Sequence, residues 1–427
     1  MKKILLLGII VLPLSMSCTK KGCTDPTALN YNQSAKKDDG SCNYEENNGN
    51  VTKSGQLTSD ETWTSDNIYE LRGKVVVPNG ITLTIEPGTI IKGDQGTGTL
   101  SSALVVARGG KIYADGTPTQ PIIFTSVLDN IQVGELVGTN LDENDNGMWG
   151  GLIVLGNAPI SAADGDIITQ IEGIPVSESY GAFGGNNETD NSGSLSYISI
   201  RHGGALIGAG NEINGLTLGG VGNQTNVSNI EVVGNLDDGV EFFGGTVNVS
   251  NILTSFNGDD GIDVDMNYKG TVDGFVVLNG SSSDEGLEID GPEGITHTSG
   301  LFTISNGLVY TYEGTTPSND FKSKAQGYVN NVKLGNIKIR ASYQNNCTEP
   351  KTDAFTNLTD NTPKLIFNNC EYVNVIVNTS SQDDAGVNTC PVPSIDQTNA
   401  ENSIINTTVN TNISGFEWTW TSIKGRL

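Results

Sequence analysis

Acidic residues recur along the middle of this chain in a fixed pattern. Asp237-Asp238-Gly239, Asp259-Asp260-Gly261 and Asp284-Glu285-Gly286 align on one another, and three residues past the second acid of each come Glu241, Asp263 and Glu288. Two residues further on come Phe243, Asp265 and Asp290. Carboxylates stacked this closely repel by roughly 1 kcal/mol per pair even in water. They must splay into solvent, keep protons through raised pKa values, or be bridged by cations. Calcium suits such a set, because it takes about six to eight oxygen ligands in flexible geometry. Asp237, Asp238, Asp259, Asp260, Asp263, Asp265, Glu285 and Glu288 are therefore the candidate calcium ligands. The basic groups available to work beside them are Lys269, Lys322, Lys324 and Arg340, and no motif fixes any of these. An architectural reading competes: Asp caps backbone amides, Gly takes positive φ, and the pair forms turns in its own right.

For these acids to meet, the elements that carry them must stack. Val227 opens VSNIEVVGNLDDGVEFFGG, Val249 opens VSNILTSFNGDDGIDVDMNYKG and Val272 opens VDGFVVLNGSSSDEGLEIDGPEG. The offsets of 22 and 23 residues fit one coil of a solenoid made of three short strands and three turns. A single coil cannot bury its apolar face, whereas stacked coils share a continuous core. Equivalent positions then lie about 4.8 Å apart. Residues 81–93 (ITLTIEPGTIIKG) and 103–126 (ALVVARGGKIYADGTPTQPIIFTS) follow the same logic of short strands and tight turns. Helical repeats would be longer and rich in Ala and Leu, and the ladder of a leucine-rich repeat is absent. The expected fold is all-β, a right-handed parallel β-helix over residues 59–427, with the aromatic run 416–420 (FEWTW) capping the last open edge.

Residues 81–93 and 103–126 resemble the opening coils of right-handed parallel β-helix proteins. The acidic turns resemble those of two enzyme families built on that scaffold. Calcium-dependent pectate lyases bind the ion with Asp residues of neighbouring coils, and a basic residue removes the proton alpha to a uronate carboxylate. That resemblance implies ion binding by Asp237, Asp259, Asp260 and Asp263, with Lys269, Lys322 or Arg340 as the base. Polygalacturonases carry N-x-D and then D-D one coil later, which Asn235-Leu236-Asp237 and Asp259-Asp260 match. The His of that family is missing, since residues 281–284 stand where it belongs, and its R-I-K is replaced by Lys338-Ile339-Arg340. Asp142-Glu143-Asn144-Asp145-Asn146-Gly147 resembles the start of a calcium loop, but Ile153 occupies the position of the closing Glu. His202 and His297, the two histidines, have no partners at zinc-ligand spacing.

The chain opens with a targeting segment over residues 1–17: Lys2 and Lys3, an apolar stretch too short to span a bilayer, then Leu14-Ser15-Met16-Ser17-Cys18. The last five residues resemble a bacterial lipobox of the looser kind found in Bacteroidota, with Ser15 in place of the common Leu. Cys18 is then the lipidated first residue of the mature chain and the sole membrane attachment. Residues 22–44 resemble a small extracellular module with the pattern C-T-D-P-x-A-x-N-Y followed by D-D-G-S-C. Too small to build a core, it needs a disulfide between Cys23 and Cys42. Residues 18–46 form this anchored N-terminus, and 47–58 read as a linker. Of Cys347, Cys370 and Cys390 at most one pair can form. The sequence leaves the choice open, although Cys347 and Cys390 lie in polar, Pro-containing stretches that read as loops.

Composition narrows the function. With 49 Asp and Glu against 23 Lys and Arg, the formal net charge of −26 disfavours nucleic acid as a partner. Two readings remain. One is a non-enzymatic lipoprotein, on the outer membrane at the cell surface or its periplasmic face, that binds polysaccharide or another envelope protein or serves as a scaffold. Exposed Tyr and Trp along one face would favour it. The other is a calcium-dependent polysaccharide lyase acting on uronate polymers, which needs Lys or Arg over a cleft beside Asp260 and Asp263. Mass spectrometry of the mature chain is expected to find a diacylglyceryl group on Cys18; an unmodified N-terminal Cys18 would remove the anchor from both readings.

Overall fold

The computed structural model describes residues 20–24, 30–37, 41, 49–207, 212–379, 390–411 and 414–427. The chain divides into two units, Met1–Gly49 and Asn50–Leu427. In the first, Lys21 bridges Lys37, and Cys23 is buried and disulfide-bonded. Cys42, the expected partner of Cys23, lies outside the described residues, as do Cys18 and the targeting segment. No helix among the described residues is long and apolar enough to cross a membrane.

The second unit is a parallel β-helix. Strands Asn226–Val233, Asn248–Ser255, Thr271–Asn279, Phe302–Thr311 and Gly327–Lys333 stack in parallel, one above the next. Each bends once. The register runs Ser228↔Ser250 and resumes at Ile230↔Ile252, skipping Asn229 and Asn251. These two have φ of 54° and 56°, Gly274 holds the same place with 75°, and Asn306 and Asn331 follow at 57° and 56°. Asn and Gly tolerate this left-handed region best, so the bend selects them. Asn251 Nδ2 donates to Asn229 Oδ1 at 3.2 Å, and Asn331 Nδ2 to Asn306 Oδ1 at 2.7 Å. The bend thus divides each long strand between two faces of the coil.

The third face carries the acids. Leu152–Leu155, Leu216–Gly219, Val240–Phe243, Ile262–Asp265, Glu285–Ile289, Ser318–Phe321, Asn336–Gln344 and Asn374–Thr379 stack in parallel in that order. Along each strand alternate residues point in, as a period of two requires. Val240, Phe242, Ile262, Val264, Leu287, Ile289, Phe321, Ile337 and Ile339 enter one continuous core. The residues between them are forced outward.

Several expectations change. The helix begins before residue 59: Asn50–Gln56, within the stretch read as a linker, pairs with Ile68–Val77. Its Asn-Val-Thr-Lys-Ser run alternates against an existing edge, which is all that a strand needs. Gly239, Gly261 and Gly286 do not occupy the left-handed region. Space selects them instead. A Cβ on Gly261 would lie 2.3 Å from Val277 Cγ1, and one on Gly286 would lie 2.1 Å from Val309 Cγ1. The cysteine pairing, by contrast, is the one that the loop positions favoured: Cys347 pairs with Cys390, leaving Cys370 as a buried free thiol.

The aromatic run 416–420 does not cap the last edge. It lies on the side wall, where Phe416 packs on Leu253 and Val276, and Trp420 on Val233, Phe256 and Leu278. These wall residues point outward and are apolar, so a cover stabilises them. The cover is pinned by Glu231, fully buried, whose carboxylate accepts from Trp420 N at 2.9 Å, Thr421 N at 2.8 Å, Thr421 Oγ1 at 2.9 Å and Ser199 Oγ at 2.5 Å. At the last strand helix Ser394–Ser403 takes the capping role. Gln397 Oε1 accepts from Val377 N at 3.0 Å, and its Nε2 donates to Val375 O at 2.8 Å.

Glu231→Leu keeps the volume and removes the acceptor. Its expected cost is about 2–4 kcal/mol, because four donors lose a charged partner. Chymotrypsin is then expected to cut at Trp418 and Trp420, which the intact wall shields to 5% and 1% exposure. An unchanged cleavage pattern would show that apolar packing alone holds the segment.

Candidate functional site

The outward column of the third face runs Thr217, Glu241, Asp263, Glu288, Asp320, Lys338 in direct register. The next outward position pairs Phe243 with Asp265. The alignment of the three acidic turns therefore corresponds to physical stacking.

The two acids of each turn do different work. Asp238 Oδ1 accepts from Asp260 N at 2.9 Å, and Asp260 Oδ1 accepts from Glu285 N at 2.7 Å. Glu285 ends this series in an ion pair with Lys338. The second acid thus ties its turn to the turn of the next coil. The first acids, Asp237 and Asp259, are the more exposed ones. Asn235, which matched the N-x-D pattern, is buried and donates to Ile213 O at 3.1 Å and Asp238 O at 2.8 Å, a turn role.

Oxygen atoms of Asp237, Asp238 and Asp259 lie within 4.8 Å of one another, and so do those of Asp238, Glu241 and Asp263. Four of the eight candidate ligands thus come together with Asp238 as the shared member, and Asp263 Oδ1 is buried with no hydrogen-bond partner. An all-oxygen set with an orphaned carboxylate oxygen fits calcium. The other four candidates join neither group. Asp260 and Glu285 are engaged as above, Glu288 pairs with Lys322, and Asp265 Oδ1 accepts from Met266 N at 2.8 Å. Glu241 stands in the group although it is not among the eight. Glu172, from a loop with no repeat to mark it, adds its charge beside Asp237 and Asp265.

Further along the same face a cleft of about 560 Å³ opens. Asp263, Asp265, Glu288, Asp290, Glu293 and Asp353 line it together with Lys322, Lys324, Arg340 and Lys351. Lys322 pairs with Glu288 and lies 3.8 Å from Asp290. Lys324 Nζ donates to Pro292 O at 3.1 Å. Arg340 makes no ion pair among the described residues, although its charge is felt at Asp290 and Asp320. Lys269 is a correction. It sits in the turn that leads away from the face and pairs with Glu188 at 2.8 Å, so it does not line the cleft.

Residues 142–147 form a turn and not an ion loop. Asp142 Oδ1 accepts from Asn144 N at 2.9 Å, and Glu143 pairs with Arg426. His202 is buried, with Nδ1 2.7 Å from Asp145 O.

Burial, then mutual repulsion, holds protons on the stack. Asp237, Asp260, Asp265 and Asp290 are each pushed up to about 7. Asp238, Glu241 and Asp263 are raised as well, by burial first and then by Asp260, Asp263 and Asp238 respectively. Each folded-state value lies above its unfolded one, so the folded chain holds the extra protons. Their contribution to stability is full below the unfolded carboxylate range of about 4 and is lost as pH rises through about 7. In chelator, Tm is expected to drop between about pH 5 and about pH 8, and calcium to recover it at the higher pH. A flat or rising Tm across that window would show that the carboxylates do not crowd one another.

Residues 55–422 match the sequence model of the pectate-lyase-like β-helix domain. No curated protein and no solved structure matches the chain. The match covers most of the chain and agrees with the stacked parallel strands, so this protein belongs to the pectate-lyase-like β-helix domain family.

Proposed function

We propose that this is an envelope lipoprotein, tethered through Cys18, that holds an acidic polysaccharide along its third face. The observation that carries the reading is the two-signed surface. Crowded carboxylates with no protein cation among the described residues stand at Asp237, Asp238, Glu241 and Asp263, and Asp263 also lines the cleft that holds Arg340 and the loosely held Lys324. A uronate polymer fits both ends: cations on the acids take its carboxylates, and Arg340 can take another directly. Among the described residues no aromatic side chain lines the cleft, so none of them offers stacking to neutral sugars there. That argues for a charged polymer over a neutral one.

A second reading is a lyase, and one feature favours it: Arg340 lines the cleft with Asp263 and Asp265 and is not consumed by an ion pair. Calcium on the acids would neutralise the uronate carboxylate and so acidify the carbon alpha to it. Arg340 would have to be unprotonated to take the proton from that carbon; the C–H electron pair then forms the double bond as the C–O bond of the neighbouring carbon breaks, and water supplies the proton for the departing glycosidic oxygen. Lys322 is less available, being paired with Glu288, and Lys269 is off the face.

The full chain with polygalacturonate and alginate separates the readings. Retention is expected in millimolar calcium and its loss in chelator. Arg340→Ala is expected to weaken retention about tenfold, or about 1.4 kcal/mol. No ultraviolet absorbance from unsaturated uronates is expected. Calcium-dependent absorbance that Arg340→Ala abolishes would transfer the site to the lyase reading. Retention unaffected by chelator would end the cation-bridged one.

A further inference from the structure

The geometry points to two cation positions on the acid face, an inner one at Asp238, Glu241 and Asp263 and an outer one at Asp237, Asp238 and Asp259, with Asp238 bridging them. This rests on the reading that the face takes cations and adds their number, depth and separate roles.

Three observations converge. The first is the pair of oxygen triads, each within 4.8 Å, that share Asp238. A carboxylate has two oxygens and about four lone-pair sites. Asp238 can accept from Asp260 N and still face an ion on either side.

The second is a pair of orphaned oxygens at the inner triad. Asn214 is 1% exposed, and its Nδ2 donates to Glu241 Oε2, which places the amide at that triad. Its Oδ1 has no partner, and neither has Asp263 Oδ1. Buried oxygens are rarely left bare, because an unmade hydrogen bond costs the full desolvation of the group. An amide oxygen and a carboxylate oxygen are both ordinary calcium ligands. A cation between them would give both their missing partner. Asn214 would then serve as the neutral ligand of the inner position, with its Nδ2 orienting Glu241.

The third is charge. The five carboxylates Asp237, Asp238, Glu241, Asp259 and Asp263 sum to −5 when ionised. Lys322 and Lys338 are paired elsewhere, with Glu288 and Glu285. One divalent ion leaves three charges of the five uncompensated, and two leave one.

The positions differ in access. Asp238 and Glu241 are each 6% exposed, whereas Asp259 is exposed and Asp237 partly so. The inner ion is a fixed part of the fold. The outer ion exchanges with solvent and is the one a polymer carboxylate can reach.

Calcium titration of the full chain by calorimetry, paired with Tm, tests this. The wild type is expected to bind two calcium ions. Glu241→Gln and Asp237→Asn are each expected to bind one, with only the Glu241→Gln variant losing most of the calcium-induced rise in Tm. In chelator Glu241→Gln is expected to melt no lower than the wild type, since it removes a repelling charge; that result certifies the fold. One calcium per wild-type chain, or both substitutions weakening the same single event, would overturn the two-position arrangement while leaving cation-bridged polymer binding intact. No calcium uptake at all would overturn both. Two ions bound with polyuronate retention indifferent to chelator would uphold the inference and sink the proposed function.

Discussion

In a parallel stack each side chain sits about 4.8 Å from its counterpart in the next coil, and nothing in the chain can alter that spacing without breaking the ladder. Apolar residues profit, because like on like fills a continuous core. Amides profit as well, as the Asn251 to Asn229 and Asn331 to Asn306 bonds show. Carboxylates do not. Every acid repeated in register becomes a repulsion repeated in register, and the third face is organised around relieving it.

Relief comes in three forms along one direction. At Asp238 and Asp260 the carboxylate turns back and accepts a hydrogen bond from a backbone N–H of the next coil, so the side chain serves as glue between turns. At Glu285 and Glu288 the later strands supply Lys338 and Lys322. At Glu241 and Asp263 no protein cation arrives among the described residues, and protons or external ions are what remain. The face therefore passes from uncompensated negative charge to half-buried positive charge over a few strand spacings. The same graded polarity that strains the fold is what a polyanion and its counterions would recognise.

The acid column was legible because repeat length and register are the same fact seen twice: matching Asp237 to Asp259 in sequence already stacks them. The bases were legible only as residue types. Lys322 directly follows strand Ser318–Phe321 and Arg340 lies in Asn336–Gln344, both after loops of unequal length that erase the period. Lys269 lies nearer in sequence to the acids than either, yet its turn carries it off the face. Glu172 arrives from a non-repeating segment, so only folding brings it to the acids, whereas Asn214 holds the place of Asp238 one coil earlier and escapes a search for acids because it is an amide. The aromatic run 416–420 was visible, but its partners were not, because Glu231 lies 189 and 190 residues from Trp420 and Thr421. The glycines of the acidic turns were expected for their dihedral freedom and are there for want of room, a distinction that one residue type cannot encode.

The amide of Gln397 presents to the last strand what the peptide of a further coil would present: one acceptor for Val377 N and one donor for Val375 O. A single side chain thus stands in for the next rung of the ladder. A solenoid lacking such a stand-in offers its final rung as a template for an identical neighbour, and head-to-tail fibres grow from templates of that kind. Here the pairing sites on the third face of the terminal coil are already spent. That face has a built-in stop against filament growth.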